Sequence, residues 1–296
     1  MQLLAGDVGA TKTKLAIFSS DDPHISAAQE STFPNVEYSS LDTLVQEFLS
    51  KVNDSIEFAC FGVAGPIFQG SAKLTNLAWV IDEKELSASL KLASVRLLND
   101  LQATAYYVPF LKPKEIETLN RGKPIYGGTI AVIAPGTGLG EAYLAWDGKR
   151  YHPHASEGGH GDFAPTNPSE IDLLSHLLSK FKHVSYERVC SGRGLYNIYK
   201  YYHESTQSRA NGCPAEDKIS EADDPTPPIV DAALHKKSKC GICVKTLDMF
   251  ISILGAEAGN LGLKFMATSG VYVGGGYTSA NTVFPKRGTI HASVLE

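Results

Sequence analysis

The chain opens with short apolar runs of strand length, Leu3-Leu4-Ala5 and Leu15-Ala16-Ile17-Phe18. The period then changes. Leu41, Leu44, Val45, Phe48 and Leu49 recur at helical spacing and predict a helix over 40–52 with one face on a sheet. Strands are expected at 58–63 and 95–98, giving an alternating α/β pattern. Ile130-Ala131-Val132-Ile133 and Ala142-Tyr143-Leu144-Ala145-Trp146 repeat the paired apolar runs. Further on, Val244, Leu247, Ile251, Leu254, Ala258, Leu261 and Phe265 fall three and four residues apart, the core stripe of one long helix. Between these parts, 210–228 is rich in Pro, Asp and Glu and reads as a surface excursion of little chemistry. A final strand at 271–273 runs into Gly274-Gly275-Gly276.

Each paired run encloses glycines: Gly6-Asp7-Val8-Gly9-Ala10-Thr11 in the first pair, Ala134-Pro135-Gly136-Thr137-Gly138 in the second. Both read as strand, tight turn, strand, and together as one phosphate clamp built twice. Glycine permits positive φ and close backbone approach, so successive N–H groups and the hydroxyls of Thr11 and Thr137 can face an anion. A Walker A loop is excluded because Gly6 is followed five residues later by Thr11. A dinucleotide fingerprint at Gly136, Gly138 and Gly140 is disfavoured because the chain continues as a strand, not a helix. Either turn alone is also an ordinary glycine hairpin. Gly274-Gly275-Gly276 reads as bare backbone for a nucleobase or ribose, or as a tight bend.

A length of 296 residues exceeds what one core usually serves and points to two domains. The polar stretch 109–124 suits a connection, which sets boundaries at 1–108 and 109–296. Hydrophobic residues at 43% and charged residues at 20% are ordinary for a soluble globular protein. A net charge of -5 argues against a nucleic-acid partner. The uncharged stretch 265–285 is broken by glycines and is no membrane span. The start runs almost directly into a strand without a signal core, which favours the cytoplasm. Five cysteines, an odd number in a chain this large, fit reduced thiols. Cys240-Gly-Ile-Cys243 invites zinc with Cys213 or His235, yet one Cys-x-x-Cys at a helix start is more often incidental.

Three polar groups carry candidate chemistry. Asn99-Asp100 stands between a strand and a helix, as an acting carboxylate or as a helix cap. In Ser156-Glu157-Gly158-Gly159-His160-Gly161-Asp162-Phe163, glycines surround polar side chains without any apolar period. Glu157 and His160 suit hydrogen bonds to a polyhydroxylated ligand better than a metal site with His152 and His154. Glu187 is a third carboxylate, or part of a solvated face.

Taken in order, Gly6 to Thr11, Asn99-Asp100, Gly136-Thr137-Gly138-Leu139-Gly140, 157–165, Glu187-Arg188 with Ser191-Gly192, and Gly274 to Gly276 resemble the bacterial-type glucokinases. These belong with sugar kinases, acetate kinase, actin and heat-shock chaperones. The resemblance implies two ribonuclease-H-like α/β lobes around a cleft, and ATP-dependent phosphorylation of glucose at its 6-hydroxyl. It implies Asp100 as general base, with Asn99, Glu157, His160 and Glu187 holding the other hydroxyls. Asp7 would position Mg2+ through water. Gly9, Thr11, Gly136, Thr137 and Gly138 would contact phosphate, and Gly274, Gly275 and Gly276 the adenosine. A homodimer is the family expectation. An actin-like ATPase would have no use for the sugar constellation.

Two departures stand out. Ala10, Lys12 and Lys14 replace the family's frequent Gly, Asn and Arg. The segment 282–296 looks like a short, different tail, so the C-terminal return to the small domain is expected to be shortened. That raises the alternative of a catalytically weak, sugar-sensing pseudokinase.

Overall fold

The computed structural model describes residues 1–21, 26–53, 55–74, 77–205, 213–234 and 240–275. Gly276, His235 and the segment 282–296 therefore lie outside the described residues. Two compact units result, Met1–Thr104 and Ala105–Glu296, and each is described by itself.

In the first unit, β1 (Gln2–Val8) pairs antiparallel with β2 (Lys12–Ser19), which pairs antiparallel with β3 (Ala27–Pro34). The apolar runs supply the buried Leu4, Leu15 and Ile17. Helix α1 (Leu41–Leu49) buries Leu41, Leu44, Val45 and Phe48, the positions that its spacing marks. Phe48 meets Phe33 edge to face, with ring centres 6.2 Å apart. β4 (Ile56–Val63) lies parallel to β1. A small sheet of β5 (Ile67–Phe68), β6 (Ser71–Lys73) and β7 (Val80–Asp82) follows. Helix α2 (Glu83–Leu90) starts where the Asp82 carboxylate accepts from the N–H groups of Lys84 and Glu85. β8 (Ser94–Asn99) lies parallel to β4 and leads into α3 (Asp100–Tyr107). The five-stranded order is β3-β2-β1-β4-β8.

The second unit repeats this plan. β9 (Ile130–Pro135) and β10 (Leu139–Trp146) form a hairpin, β11 (Tyr151–Ser156) extends it antiparallel, and a later strand joins β9 in parallel. Between them come α4 (Pro168–Leu178), α5 (Gly192–Ser205), α6 (Glu216–Glu221), α7 (Thr226–Leu234) and α8 (Gly241–Lys264). The last strand is β12 (Gly270–Val273), and the order is β11-β10-β9-β12. In both sheets the first strand of the unit runs antiparallel to the second and parallel to the fourth.

Several expectations change. Gly6, Asp7 and Val8 belong to β1, and Ala134 and Pro135 to β9, so the turns are only Gly9-Ala10-Thr11 and Gly136-Thr137-Gly138. None of Gly6, Gly9, Gly136 and Gly138 has positive φ. The hairpins close instead through bonds from Gly9 N to Lys12 O and from Gly136 N to Gly138 O. The stretch 210–228 lies largely exposed where it is described, as expected, but it is anchored and partly helical. Ile219 and Thr226 are buried, and Pro227 and Pro228 occupy the first turn of α7, where a missing N–H costs nothing.

On α8 burial spreads beyond the stripe to Cys243, Met249, Phe250, Ile253 and Glu257, because α5, α7 and β12 all pack on it. Finally, the structure joins Cys213 to Cys240 in a disulfide and leaves Cys60, Cys190 and Cys243 free, where five reduced thiols were expected. Packing of the segment before α6 against the start of α8 brings the two Cα atoms to 5.2 Å.

Candidate active site

In the first unit the candidates lie at the C-terminal ends of the parallel strands, where open α/β sheets place ligands. Asp7 pairs with Gly62 on β4, and Asn99 with Val63. Asp7 is exposed. Asn99 acts as the helix cap: its Oδ1 accepts from Leu101 N at 3.0 Å and Gln102 N at 3.1 Å, and its Nδ2 donates to Gly65 O at 3.2 Å. This fixes the first turn of α3 and hence Asp100, whose Oδ1 accepts from Leu101 N at 2.8 Å. Burial of the Asp100 carboxyl raises its pKa, the Leu101 N–H opposes that shift, and the charge of Asp7 adds to it.

The first turn is braced by a residue that the sequence reading did not single out. Asn35, 1% exposed, donates from Nδ2 to Gly9 O at 2.9 Å and from its backbone N to Thr11 O at 2.9 Å. Its Oδ1 accepts from Thr13 Oγ1 at 2.8 Å. Ala10 and Thr11 are left exposed at the tip.

In the second unit the candidates converge on Leu139, at the start of β10. Glu187 Oε2 accepts from Leu139 N at 3.0 Å. Gly138 leaves room for this carboxylate, since a Cβ at this position would push the Glu187 Oε2 aside. Gly136 O accepts from Gly192 N, the first residue of α5, at 2.8 Å. Ser191 caps that helix by accepting from Gly194 N and itself donates to Glu187 O. The turn therefore sits against a helix N-terminus, whose free N–H groups favour an anion.

Glu157 and His160 flank the short turn Gly158–His160, whose Gly159 packs against the Leu139 carbonyl. Their side chains approach to 3.8 Å and are 62% and 63% exposed, open to a ligand. This loop is tied to the Glu187 segment by bonds from Tyr186 N to Gly161 O and from Phe163 N to Val184 O. Of the alternative metal ligands, His152 bonds Asp147 at 2.6 Å and His154 stacks on Tyr143. Gly274 N donates to Ile133 O at 2.8 Å, and Gly275 has φ +94° with its Cα against the Pro135 carbonyl. Beneath the loop lies Glu141, 1% exposed, its Oε1 lacking a hydrogen-bond partner among the described residues.

Two sheets of one plan, each turning a glycine hairpin between its first two strands, define a protein of the sugar-kinase and actin-like ATPase fold. The family model described as glucokinase matches residues 4–293, and so runs into the segment 282–296 read above as a different tail. A glucokinase of Nostoc punctiforme is 38% identical over 287 residues, covering 93% of this chain and 84% of the relative. The crystal structure of a glucokinase from an Antarctic psychrotroph superimposes with a TM-score of 0.77 at 31% identity, over 93% of this chain and 83% of that one. A ROK-family glucokinase from Streptomyces griseus, solved with glucose and AMPPNP, shares the fold, with a TM-score of 0.60 at 19% identity over 93% and 83% of the two chains. The chain belongs to the glucokinase family.

Proposed function

We propose that this protein transfers the γ-phosphoryl group of ATP to the 6-hydroxyl of glucose, giving glucose 6-phosphate and ADP. The observation that carries the reading is the placing of Asp7 and Asp100 at one sheet edge, with burial raising the Asp100 carboxyl above its ordinary value. Asp100 accepts the proton of the attacking 6-hydroxyl, and Asn99 holds the helix start that aims it. Glu157, His160 and Glu187 bind the remaining hydroxyls, with Asn99 completing the set. Because such a site leaves its polar groups unpaired around an analogue lacking a hydroxyl, it discriminates strongly. Gly9, Thr11, Gly136, Thr137 and Gly138 face the phosphates, and Gly274 and Gly275, with Gly276, the adenosine.

An exposed carboxylate beside a second one suits a hydrated Mg2+ held through water at Asp7, and the ion, when bound, neutralises phosphate charge. Catalysis is otherwise positioning and charge stabilisation. We place the enzyme in the cytoplasm, as a homodimer. Among the described residues no helix is long and apolar enough to cross a membrane. No observation favours a sugar sensor over turnover.

The test is a coupled assay with a sugar panel and Mg·ATP, using Asp100→Asn. Turnover should fall about 10²- to 10⁴-fold, with glucose binding by calorimetry largely unchanged. A variant that keeps most of its turnover would remove Asp100 as the base.

A further inference from the structure

Three of the five cysteines converge on one point, and none of them is among the residues assigned above. Cys213 lies just before α6, Cys240 is the N-cap of α8, and Cys243 stands in the first turn of that helix. All three are buried, and their Sγ atoms lie within 4.8 Å of one another. Cys213 is bonded to Cys240, and its Sγ is 3.7 Å from that of Cys243. In a tetrahedral zinc–thiolate site with Zn–S near 2.3 Å, neighbouring sulfurs stand about 3.8 Å apart. The Cys213–Cys243 separation matches that edge. A disulfide needs two sulfurs, and the third, buried against it, has no task in such a bond. Cys240 and Cys243 also carry the Cys-x-x-Cys spacing of zinc sites, at the positive end of a 24-residue helix, which favours thiolates.

We propose that, with its thiols reduced, the chain binds one thiophilic divalent cation of the zinc class through Cys213, Cys240 and Cys243. The disulfide and the metal site are alternative uses of the same sulfurs. Reduction of the Cys213–Cys240 bond takes two electrons and two protons from a cellular dithiol or from two monothiols, which leave as their own disulfide. Binding then releases the three thiol protons to solvent as three Sγ–metal bonds form. No fourth His, Cys, Asp or Glu joins the cluster among the described residues, and His235 lies outside them. The ion would pin the segment before α6 to the start of α8, whose first two ligands are 27 residues apart.

The experiment uses the full chain, reduced, stripped of metal and titrated with Co2+ and then Zn2+. The expected result is one Co2+ per chain with a thiolate-to-cobalt charge-transfer band, displaced by Zn2+, lost in Cys213→Ser and Cys243→Ser and kept in Cys60→Ser. Alkylation mapped by mass spectrometry needs no variant. Zn2+ should slow labelling of Cys213, Cys240 and Cys243 by about tenfold or more and leave Cys60 unchanged. A reduced, folded wild-type chain that takes up no ion would overturn the proposal. So would uptake retained in Cys243→Ser, or a Cys213–Cys240 disulfide that survives glutathione. Sugar phosphorylation is not the readout, so the outcome is separate from that of the kinase assay.

Discussion

Replacing Glu141 with Gln should flatten the pH dependence of stability in the second unit. The carboxyl is sealed beneath the Glu157–His160 turn, with Oε2 against Gly158. Burial raises its pKa to about 7, the charge of Glu257 adds to the shift and Lys264 opposes it. Glu257 itself is wholly buried and bonded to Lys264 at 2.9 Å and Asn260 at 2.8 Å. An acid raised on folding binds its proton in the native state where the unfolded chain has lost it. Stability is then greatest below the unfolded value of 4.5 and falls as pH rises toward 7. A shift of about 2.5 units corresponds to roughly 3 kcal/mol, or about 6–12 °C in melting temperature for a unit of this size. Gln keeps the shape and removes the titration. Its amide is also short of partners, so a pH-independent loss of about 1–3 kcal/mol is expected beside the lost slope. Urea melts of Trp79→Phe with and without Glu141→Gln, followed by Trp146 fluorescence from pH 5 to 8, isolate the difference. Equal slopes in the two proteins would refute a buried, proton-linked Glu141.

Asn35→Ala removes the two side-chain bonds that brace the first turn and should cost about 1–3 kcal/mol in the first unit, read by denaturant melts, while raising KM for ATP more than KM for glucose. Gly138→Ala drives a Cβ into the Glu187 carboxylate, so kcat/KM for glucose should fall with a thermal shift of about 1–3 kcal/mol equivalent. Gly275→Ala combines a left-handed backbone with a clash on Pro135 O and should weaken ATP binding by calorimetry with glucose binding intact.

How much of this was legible depended on whether a residue's role lies in its own period or in what another segment brings to it. Helix α1 was readable because Leu41, Leu44, Val45 and Phe48 record one face, and burial follows them. The glycine turns were located but drawn too long. Gly6 and Asp7 are strand residues, and glycine content outweighed the alternation of β1. Asn35 was invisible, being a lone Asn whose work is done on Gly9 and Thr11 more than twenty residues earlier. Glu141 was equally hidden, since a charge on a strand reads as a solvent face until a loop folds over it.

The duplicated sheet makes the two turns equivalent in topology, yet their supports differ. The first hangs from a buried neutral amide, whereas the second is backed by the start of α5 and by the Glu187 carboxylate on the next N–H. A neutral brace adds no charge beside a phosphate, while a helix N-terminus attracts it and the nearby carboxylate repels it. The second turn therefore has competing demands, and the bond from Leu139 N that holds Glu187 in place settles them by spending the carboxylate's Oε2 on the backbone. Glu187 is thereby held in a fixed position beside the turn. This coupling of the Glu187 carboxylate to the glycine turn through Leu139 is a property of the fold that neither motif carries alone.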